Sequence, residues 1–543
     1  MPAESQHRII FQPLGIRVSL PAEQSLLAAA QAAGVALVSP CGGAGSCECC
    51  LVRLVSGQAS PPTIIEQRRF SAQELADGWR LACQALPQSD LVIEIPPESL
   101  SAPQRLQVES LELPAWLAQP PLPNPAFAAV PENTPLLGLA LDIGTTKLAA
   151  YLCDLRSGKT LAQAGAMNPQ TVFGEDVISR IAYAQARLEN AATLQTRLVE
   201  AINQLSATLC AQPTQIIEIV AVGNTAMHHL FAGLPVQQLG VAPYRPAVSD
   251  ALTLNAADLS LQAAPGATVY LPPNIAGFVG ADHVAMLLAS GLLHAENTAL
   301  ALDIGTNTEI TLAHQGRRLS CSCASGPAFE GAHITAGMRA APGAVERIWS
   351  DGEDLRLQTI DNLPPVGLCG SGILDGIAAM RQCGALNRRG ALDPQHPRVS
   401  RVGGELAFRV APADQTGTGR DLCITRSDVN EIQLAKAAIS AGIAVLLGQA
   451  GIPADALQDF IIAGAFGTYL HIPSAIQIGM FPALPLGRFR QIGNAAGAGA
   501  RALLFSAAQR SFVEQMARQI EYIELSAQPE FKPAYSKALF FND

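Results

Sequence analysis

The sequence predicts a multidomain chain of mixed α/β and α+β class: a small N-terminal α+β domain, a proline-rich linker, and a larger α/β fold built twice. Three observations predict it. Four of the twelve cysteines fall in one ten-residue stretch, CGGAGSCECC at 41–50, and a fifth follows at Cys83. Ten of the forty residues in 96–135 are proline. The heptapeptide LALDIGT occurs at 139–145 and again at 300–306, 161 residues later. These features divide the chain into a first domain (1–97), a linker (98–135), two related subdomains (136–290 and 291–525) and a C-terminal tail (526–543).

The bulk numbers agree with a large globular protein. A chain of 543 residues, 49% hydrophobic and 15% charged with 46 glycines, has the composition of an ordinary α/β protein. A net charge of −10 argues against a nucleic-acid partner, because phosphate binding needs clustered Lys and Arg. The start MPAESQHRIIFQPLG has no basic stretch followed by an apolar one, so no secretory signal is expected. The most apolar helical candidate, 437–450, is about 14 residues long and suits a buried helix better than a bilayer span. A cytoplasmic protein without a membrane partner is the expectation. In a reducing compartment a cysteine cluster is read first as a metal or redox site.

The first domain reads as two β runs (8–11 and 16–20), a helical segment SLLAAAQAAG, the cysteine loop, a strand LVRLV and a closing strand LVIEI. The spacing is Cys41-x5-Cys47-x2-Cys50, with Cys83 distant. Plant-type 2Fe-2S spacing is C-x4-C-x2-C plus a distant fourth Cys, so the first gap is one residue longer here. Gly42, Gly43 and Gly45 let backbone N–H groups approach sulfurs that a Cβ would shield. A zinc site is the alternative, although zinc sites usually pair two short Cys spacings. The order of elements resembles the β-grasp ferredoxins, and the longer first gap resembles their adrenodoxin-type branch. That resemblance implies Cys41, Cys47, Cys50 and Cys83 as ligands; Cys49 is the extra thiol of the stretch, and it can also replace Cys50.

The linker, with QPPLPNPAFAAVPENTP at its centre, cannot form a helix or a central strand and reads as a semi-rigid spacer. In each copy of the repeat an apolar strand enters Asp-Ile-Gly-Thr and a second apolar run leaves it: LALDIGTTKLAAYLCDL, then LALDIGTNTEITLA. This is strand, tight turn, strand. Such a turn can cradle phosphate with free N–H groups and hydroxyls, and Asp142 and Asp303 can hold Mg²⁺ through water. Two such hairpins facing each other can grip one nucleoside triphosphate.

The duplicated hairpin resembles the superfamily of actin, the sugar and acetate kinases and the heat-shock chaperone ATPases, in which two ribonuclease-H-like domains each supply a phosphate hairpin. The resemblance implies a phosphate and magnesium cleft of Asp142, Gly144, Thr145, Thr146, Asp303, Gly305, Thr306 and Asn307. It implies an adenosine turn at Gly464, Ala465, Phe466 and Gly467 in DFIIAGAFGTYLHI, with Ala465 where the usual pair has its second glycine. Glu330 and Gly331 in ASGPAFEGAHI read as the start of a helix lining the cleft, or simply as a helix N-terminus. Lys147 can reach a phosphate, or can lie on an exposed strand face. Asp282 in GFVGADH can orient water for hydrolysis, or complement a helix dipole.

A ferredoxin on the same chain as this ATPase fold resembles the reductive activators of corrinoid-dependent methyltransferases. The resemblance runs over nearly the whole chain: CGGAGSC and LACQ, GEDVISRIAYA, VGNTAMHHLFAGL, GFVGADHVAMLL, CSCASGPAFEGAHITAGM, GLCGSGILDGIA, EIQLAKAAISAGI and YIELSAQPEFKPAYSKALFF. It implies an ATP-hydrolysing enzyme, with a 2Fe-2S cluster, ATP and Mg²⁺ as cofactors. Its cluster would return an electron to an inactive Co(II) corrinoid and restore Co(I). Plant-type clusters sit near about −400 mV and the implied acceptor is lower still, so ATP must help. The implied partners are a corrinoid methyltransferase protein and an external low-potential electron donor; a homodimer is the default assembly. His228, His229 and His283, in apolar helical stretches, read as core histidines and not cobalt ligands. Cys153, Cys210, Cys321, Cys323, Cys369, Cys383 and Cys423 read as core thiols. The rivals are a phosphotransferase carrying a ferredoxin, an ATP-driven activator of another low-potential metalloenzyme, and a nucleotide-gated docking or sensor module.

Overall fold

In the computed structural model, the structure describes residues 6–96 apart from 13–15, 22, 34, 36, 40 and 48, then 99, 117, and 136–542 apart from 175, 332, 339, 352 and 353. The proline-rich linker, 98–135, lies outside the described residues except for Ser99 and Leu117.

The first domain comprises strands β1 (Gln6–Gln12) and β2 (Ile16–Pro21), helix α1 (Leu26–Ala32), strand β3 (Leu51–Ser56), helices α2 (Ile64–Arg69) and α3 (Ala72–Ala76), and strands β4 (Trp79–Leu81) and β5 (Leu91–Glu94). They form one sheet in the order β2-β1-β5-β3-β4, with β1 and β5 parallel and the other pairs antiparallel. Helix α1 begins where the Ser25 hydroxyl accepts from the Ala28 N–H, and it buries Leu26, Leu27, Ala29 and Ala30 against that sheet. Arg80 and Glu66 form a buried ion pair, Nε to Oε1 at 2.8 Å and Nη2 to Oε2 at 3.0 Å. Glu66 Oε1 also accepts from the Leu81 N–H, and Arg80 donates to the Ser60 carbonyl, so both buried charges have partners.

The two larger units share a five-stranded core, an antiparallel triplet followed by two parallel strands, and differ at the sheet edges. The first contains β6 (Leu137–Ile143), β7 (Lys147–Asp154), β8 (Lys159–Met167), helices α4 (Val177–Ala186) and α5 (Leu188–Leu209), β9 (Ile216–Gly223), α6 (Thr225–Phe231), β10 (Leu252–Asn255), β11 (Thr268–Leu271) and α7 (Ala281–Ser290). Its sheet order is β10-β11-β9-β6-β7-β8: three antiparallel strands, then two parallel crossovers. The second unit opens with β12 (Ala299–Ile304), β13 (Thr308–His314) and β14 (Arg317–Cys323). Two three-stranded sheets follow, β15 (Ala344–Asp351), β16 (Asp354–Thr359) and β17 (Gly367–Leu368), then, beyond helix α8 (Gly370–Gln382), β18 (Val399–Val402), β19 (Glu405–Ala411) and β20 (Leu422–Thr425). The chain continues through α9 (Arg426–Ala450), β21 (Asp459–Ala463), α10 (Ala465–Tyr469), α11 (Ile472–Gln477), β22 (Phe489–Gln491), α12 (Ala495–Phe505), α13 (Ala507–Ala517), β23 (Glu521–Tyr522) and α14 (Phe531–Ala538). The second six-stranded sheet, β22-β21-β12-β13-β14-β23, repeats the antiparallel triplet with parallel neighbours.

Strand periodicity explains why the repeated heptapeptide alternates Leu, Ala, Leu, Asp, Ile. Successive side chains point to opposite faces of a sheet. Leu139, Leu141 and Ile143 enter the first unit's own core, and Leu300, Leu302 and Ile304 that of the second. Ala140 and Ala301 face a third core, shared by α7, α12 and both sheets. Asp142 and Asp303 follow in the same period and therefore point to the side where the two units meet.

Helix α9 runs for 25 residues, well beyond the 437–450 segment that its apolar composition marks. Thr425 and Asp428 form a capping box at its start, and Gly451 ends it in the left-handed region. Among the described residues it is the one helix long and apolar enough to cross a membrane, and 72% of its apolar window is buried in this fold. Helix α14 packs on α9, where Lys436 donates to the Phe540 carbonyl at 2.5 Å and lies over the Phe541 ring.

Candidate functional site

The cysteine stretch forms a turn between α1 and β3, and the chain brings Cys83 back to it just after β4. The sulfurs of Cys41 and Cys47 are 3.2 Å apart. The Cys83 N–H lies 3.5 Å from the Cys50 sulfur, and the two thiols interact directly. The four sulfurs thus fall into two pairs, Cys41 with Cys47 and Cys50 with Cys83. Two thiol pairs side by side suit a binuclear iron centre. The Cys49 thiol donates to the Cys47 carbonyl at 2.9 Å and also lies against the Cys47 thiol.

Three of the four thiols resist ionising by themselves, whereas the hydrogen bond to Cys50 lowers Cys83. A hydrogen bond to Cys47, then burial, pushes Cys41 up to about 12. Cys47 is pushed up to about 11: its hydrogen bond to Cys41 acts downward, but the bond to Cys49 and burial prevail. Cys50 rises further, through its bond to Cys83 and burial. Thiolates at these positions need strong positive charge beside them, which bound iron supplies.

The second site is a cleft of about 320 Å³ where the two hairpins meet. Of the residues singled out in the sequence, Asp142, Gly144, Thr145, Thr146, Lys147, Asp282, Asp303, Gly305, Thr306, Asn307, Glu330, Gly464 and Phe466 line it. Gly331, Ala465 and Gly467 do not. Gly331 ends a 3₁₀ turn, and a Cβ there would stand 2.4 Å from the Met338 carbonyl oxygen. Ala465 opens α10, and the Gly467 carbonyl accepts from the Gln491 amide.

Glu330 belongs to a short 3₁₀ turn, Pro327–Glu330, and does not start an α-helix. Proline at its first position and glycines on both sides favour a tight turn over a propagating helix. There its carboxylate accepts from both hairpins, from the Thr306 hydroxyl at 2.5 Å and the Thr146 hydroxyl at 3.2 Å. Gly464 has φ +89°, and a Cβ there would lie 2.6 Å from Asp303 Oδ1, so only glycine fits this turn beside the hairpin. Phe466 stacks on Phe329 with centroids 4.7 Å apart and planes 17° from parallel, a flat apolar wall for a base.

Several cleft residues were not apparent from the sequence. Asn494 caps α12 by accepting from the Gly497 N–H, and its amide donates to Asp142 Oδ2 at 2.9 Å. Asn224 caps α6 and donates to the Thr145 hydroxyl at 2.8 Å. Glu309 sits opposite Asp303 in the β12–β13 ladder. A polar residue placed directly before an apolar helix is the one signal that could have marked the two asparagines.

Four of the five carboxyls that line the cleft, Asp142, Asp282, Asp303 and Glu309, are pushed above the ordinary carboxylate range. Burial raises Asp142 to about 6. Burial and the charge of Asp142 raise Asp303 to about 7. Burial, then Asp303 and Asp142, raises Asp282 to about 8. Glu309 is raised well above the carboxylate range by burial and by Asp282 and Asp303. Such a group is ionised together only with a counter-charge, and a divalent cation bridging to phosphate is the chemistry it fits. Asp282, second residue of α7, also accepts from the His283 N–H at 2.8 Å.

The histidines lie elsewhere in the core. His229 is held between the Thr225 carbonyl (2.8 Å) and the Ala247 N–H (3.0 Å), and His283 bonds the Thr311 hydroxyl at 2.7 Å. Burial lowers His228 and His283 to about 3, so both are neutral. Six of the seven remaining cysteines are buried; Cys383 is exposed at the C-cap of α8, where the helix turns out to solvent.

Comparison with known proteins covers the whole length. Residues 9–88 match the 2Fe-2S iron-sulfur cluster binding domain, 137–295 the RACo middle region, and 297–543 the C-terminal domain of RACo, the ASKHA domain. The chain is 31% identical, over 99% of both chains, to the corrinoid activation enzyme RamQ of Eubacterium limosum. It is 25% identical to the [Co(II) methylated amine-specific corrinoid protein] reductase of Methanosarcina barkeri, over 71% of this chain and 73% of the other. Among solved structures, the reductive activator for corrinoid, iron-sulfur protein matches with a TM-score of 0.69 and 32% identity over 98% of each chain.

Proposed function

Because the chain belongs to the RACo family, with its 2Fe-2S and ASKHA domains, we propose that it is an ATP-dependent reductive activator that passes an electron to the Co(II) corrinoid of a methyltransferase protein, restoring Co(I). The observation that carries this reading is the presence on one chain of two paired-thiol ligand sets and a cleft between two repeated phosphate hairpins. When bound, the cluster supplies one-electron redox chemistry and Mg-ATP a phosphoryl group whose transfer releases free energy.

Cys41, Cys47, Cys50 and Cys83 hold the cluster, and burial of Cys50 keeps water from that sulfur. The Thr145, Thr146 and Thr306 hydroxyls and the hairpin backbone would bind phosphate oxygens, and Asp142 and Asp303 would hold Mg²⁺ through water. Asp282, which lines the cleft between the hairpins, would orient the attacking water. Phe329 and Phe466 would seat the adenine, and Lys147, which lines the same cleft, would reach a phosphate. A plant-type cluster near about −400 mV falls short of the cobalt couple, and every ~59 mV of shortfall costs about tenfold in a one-electron equilibrium. ATP closes that gap only if nucleotide states differ in affinity for the corrinoid partner or in cobalt geometry. The electron reaches the cluster from an external low-potential donor, and the setting is cytoplasmic.

The test is electron paramagnetic resonance of a Co(II) corrinoid protein mixed anaerobically with the reduced chain. The Co(II) signal should decay once Mg-ATP is added, and a signal indifferent to ATP would overturn the proposal.

A further inference from the structure

The segment GEDVISRIAYA contains a fully buried cation, Arg180, that the reaction itself does not use. Arg180 Nη2 donates to the Thr145 carbonyl, its Nε donates to the Gly174 carbonyl at 2.8 Å, and Nη1 lies 3.3 Å from Gln170 Oε1. Gly174 ends a 3₁₀ turn, Pro169–Phe173, whose cap Asn168 is also fully buried. Asn168 donates through its amide to the Gly144 carbonyl at 2.8 Å and through its backbone to the Thr146 carbonyl at 2.9 Å. All three hairpin carbonyls, those of Gly144, Thr145 and Thr146, are therefore held by one strap.

The far end of the strap meets the first domain. Gly42, between the ligands Cys41 and Cys47, has φ +64°, and a Cβ built on it would stand 3.0 Å from the Phe173 carbonyl oxygen. Phe173 is itself buried and packs on Tyr183 of α4 with ring centroids 4.9 Å apart. The backbone that receives phosphate and the backbone that wraps the cluster are thus separated by one short, buried, hydrogen-bonded turn.

We infer that the turn from Asn168 to Gly174, held by Arg180, is the docking surface for the chain's own cluster loop, and that Arg180 couples this docking to the occupancy of the first phosphate hairpin. Close-packed segments move as units, so a shift of the Thr145 carbonyl when its hairpin takes phosphate carries Arg180, and with it Gly174 and Phe173. By linkage, a nucleotide that changes docking of the loop has its own affinity changed by docking in the same ratio. The inference rests on the nucleotide-binding reading of the hairpins and adds to it a positioning role for Arg180.

The test is hydrogen exchange by mass spectrometry on the full, cluster-loaded chain, anaerobically, with and without Mg-ADP. In the wild type both the hairpin peptide (139–147) and the cluster-loop peptide (41–47) should change exchange rate by about twofold or more. Arg180→Lys keeps the charge, but one ammonium cannot span the Thr145 and Gly174 carbonyls. It should leave the hairpin responsive and the loop silent. Asn168→Asp, which removes the donor to Gly144 without changing shape, should weaken the loop response likewise. A loop that ignores Mg-ADP while the wild-type hairpin responds overturns the coupling and leaves nucleotide binding standing. A loop that responds equally in both variants also overturns it. A hairpin that ignores saturating nucleotide overturns the nucleotide reading and this inference with it.

Discussion

Replacing Asp303 by asparagine should make the metal-free protein more stable while destroying its function. Burial, followed by the charge of Asp142, lifts the Asp303 carboxyl from an ordinary 3.8 to about 7. A tenfold change in proton affinity is worth ~1.4 kcal/mol, so holding this group ionised above pH 8 costs about 4 kcal/mol as an upper bound. The open cleft and the sharing of charge among neighbouring carboxyls bring the figure to about 2 kcal/mol. The sign follows from the direction of the shift. The folded state binds the proton more tightly than the unfolded chain, so the penalty is absent below the unfolded pKa and grows as pH rises toward the folded one. Asp303→Asn should therefore gain about 2 kcal/mol at pH 8 in a chelator, and less than about half of that at pH 5. Urea denaturation followed by circular dichroism at both pH values measures the gain. Saturating Mg²⁺ and nucleotide should reverse the order, because only the wild type is stabilised by binding. A variant less stable than wild type at pH 8 in chelator, or a gain equal at the two pH values, would refute the argument.

Three further outcomes follow from the same geometry. Cys50→Ser should abolish the 2Fe-2S cluster whereas Cys49→Ser should retain it, as read by iron and sulfide content and the visible spectrum; the reverse pattern would move the ligand assignment to Cys49. Glu66→Gln leaves Arg80 buried without its full counter-charge and should destabilise the first domain by about 3 kcal/mol, read as a lower urea midpoint for loss of cluster absorbance. Asn494→Ala removes both the α12 cap and the Asp142 contact, so it should cost about 1 kcal/mol of stability and weaken nucleotide binding by about tenfold in calorimetry.

What was readable in the sequence is what depends on local pattern. The alternation in LALDIGT records a strand with two different faces, and both copies do form strands β6 and β12 at the junction of the two units. The cysteine spacing records a loop that must wrap closely, and the structure draws those sulfurs into two pairs. Contacts between distant segments left no such mark. Asn494 meets Asp142 across 352 residues, and only the crossover from β22 into α12 brings the two together. Phe329 and Phe466 form a wall because the turns on either side of the cleft converge, which periodicity does not encode. Glu330 misled for a related reason: a turn and a helix N-terminus share their residues, and tertiary contacts to Thr146 and Thr306 decide between them. The length of α9 was hidden because its first turns carry polar residues, Asp428 and Gln433, that are buried against other elements.

The account stands or falls on whether one chain joins ATP turnover to reduction of cobalt. The measurement is Co(I) absorbance and released phosphate in the same anaerobic sample, with a Co(II) corrinoid protein, a low-potential reductant and Mg-ATP. The account predicts that Co(I) appears only with ATP, that phosphate release quickens when the corrinoid protein is present, and that Asp303→Asn loses both signals while Cys50→Ser loses the first. Co(I) formed at the same rate without ATP, or phosphate release indifferent to the corrinoid protein with no Co(I) formed, would contradict it.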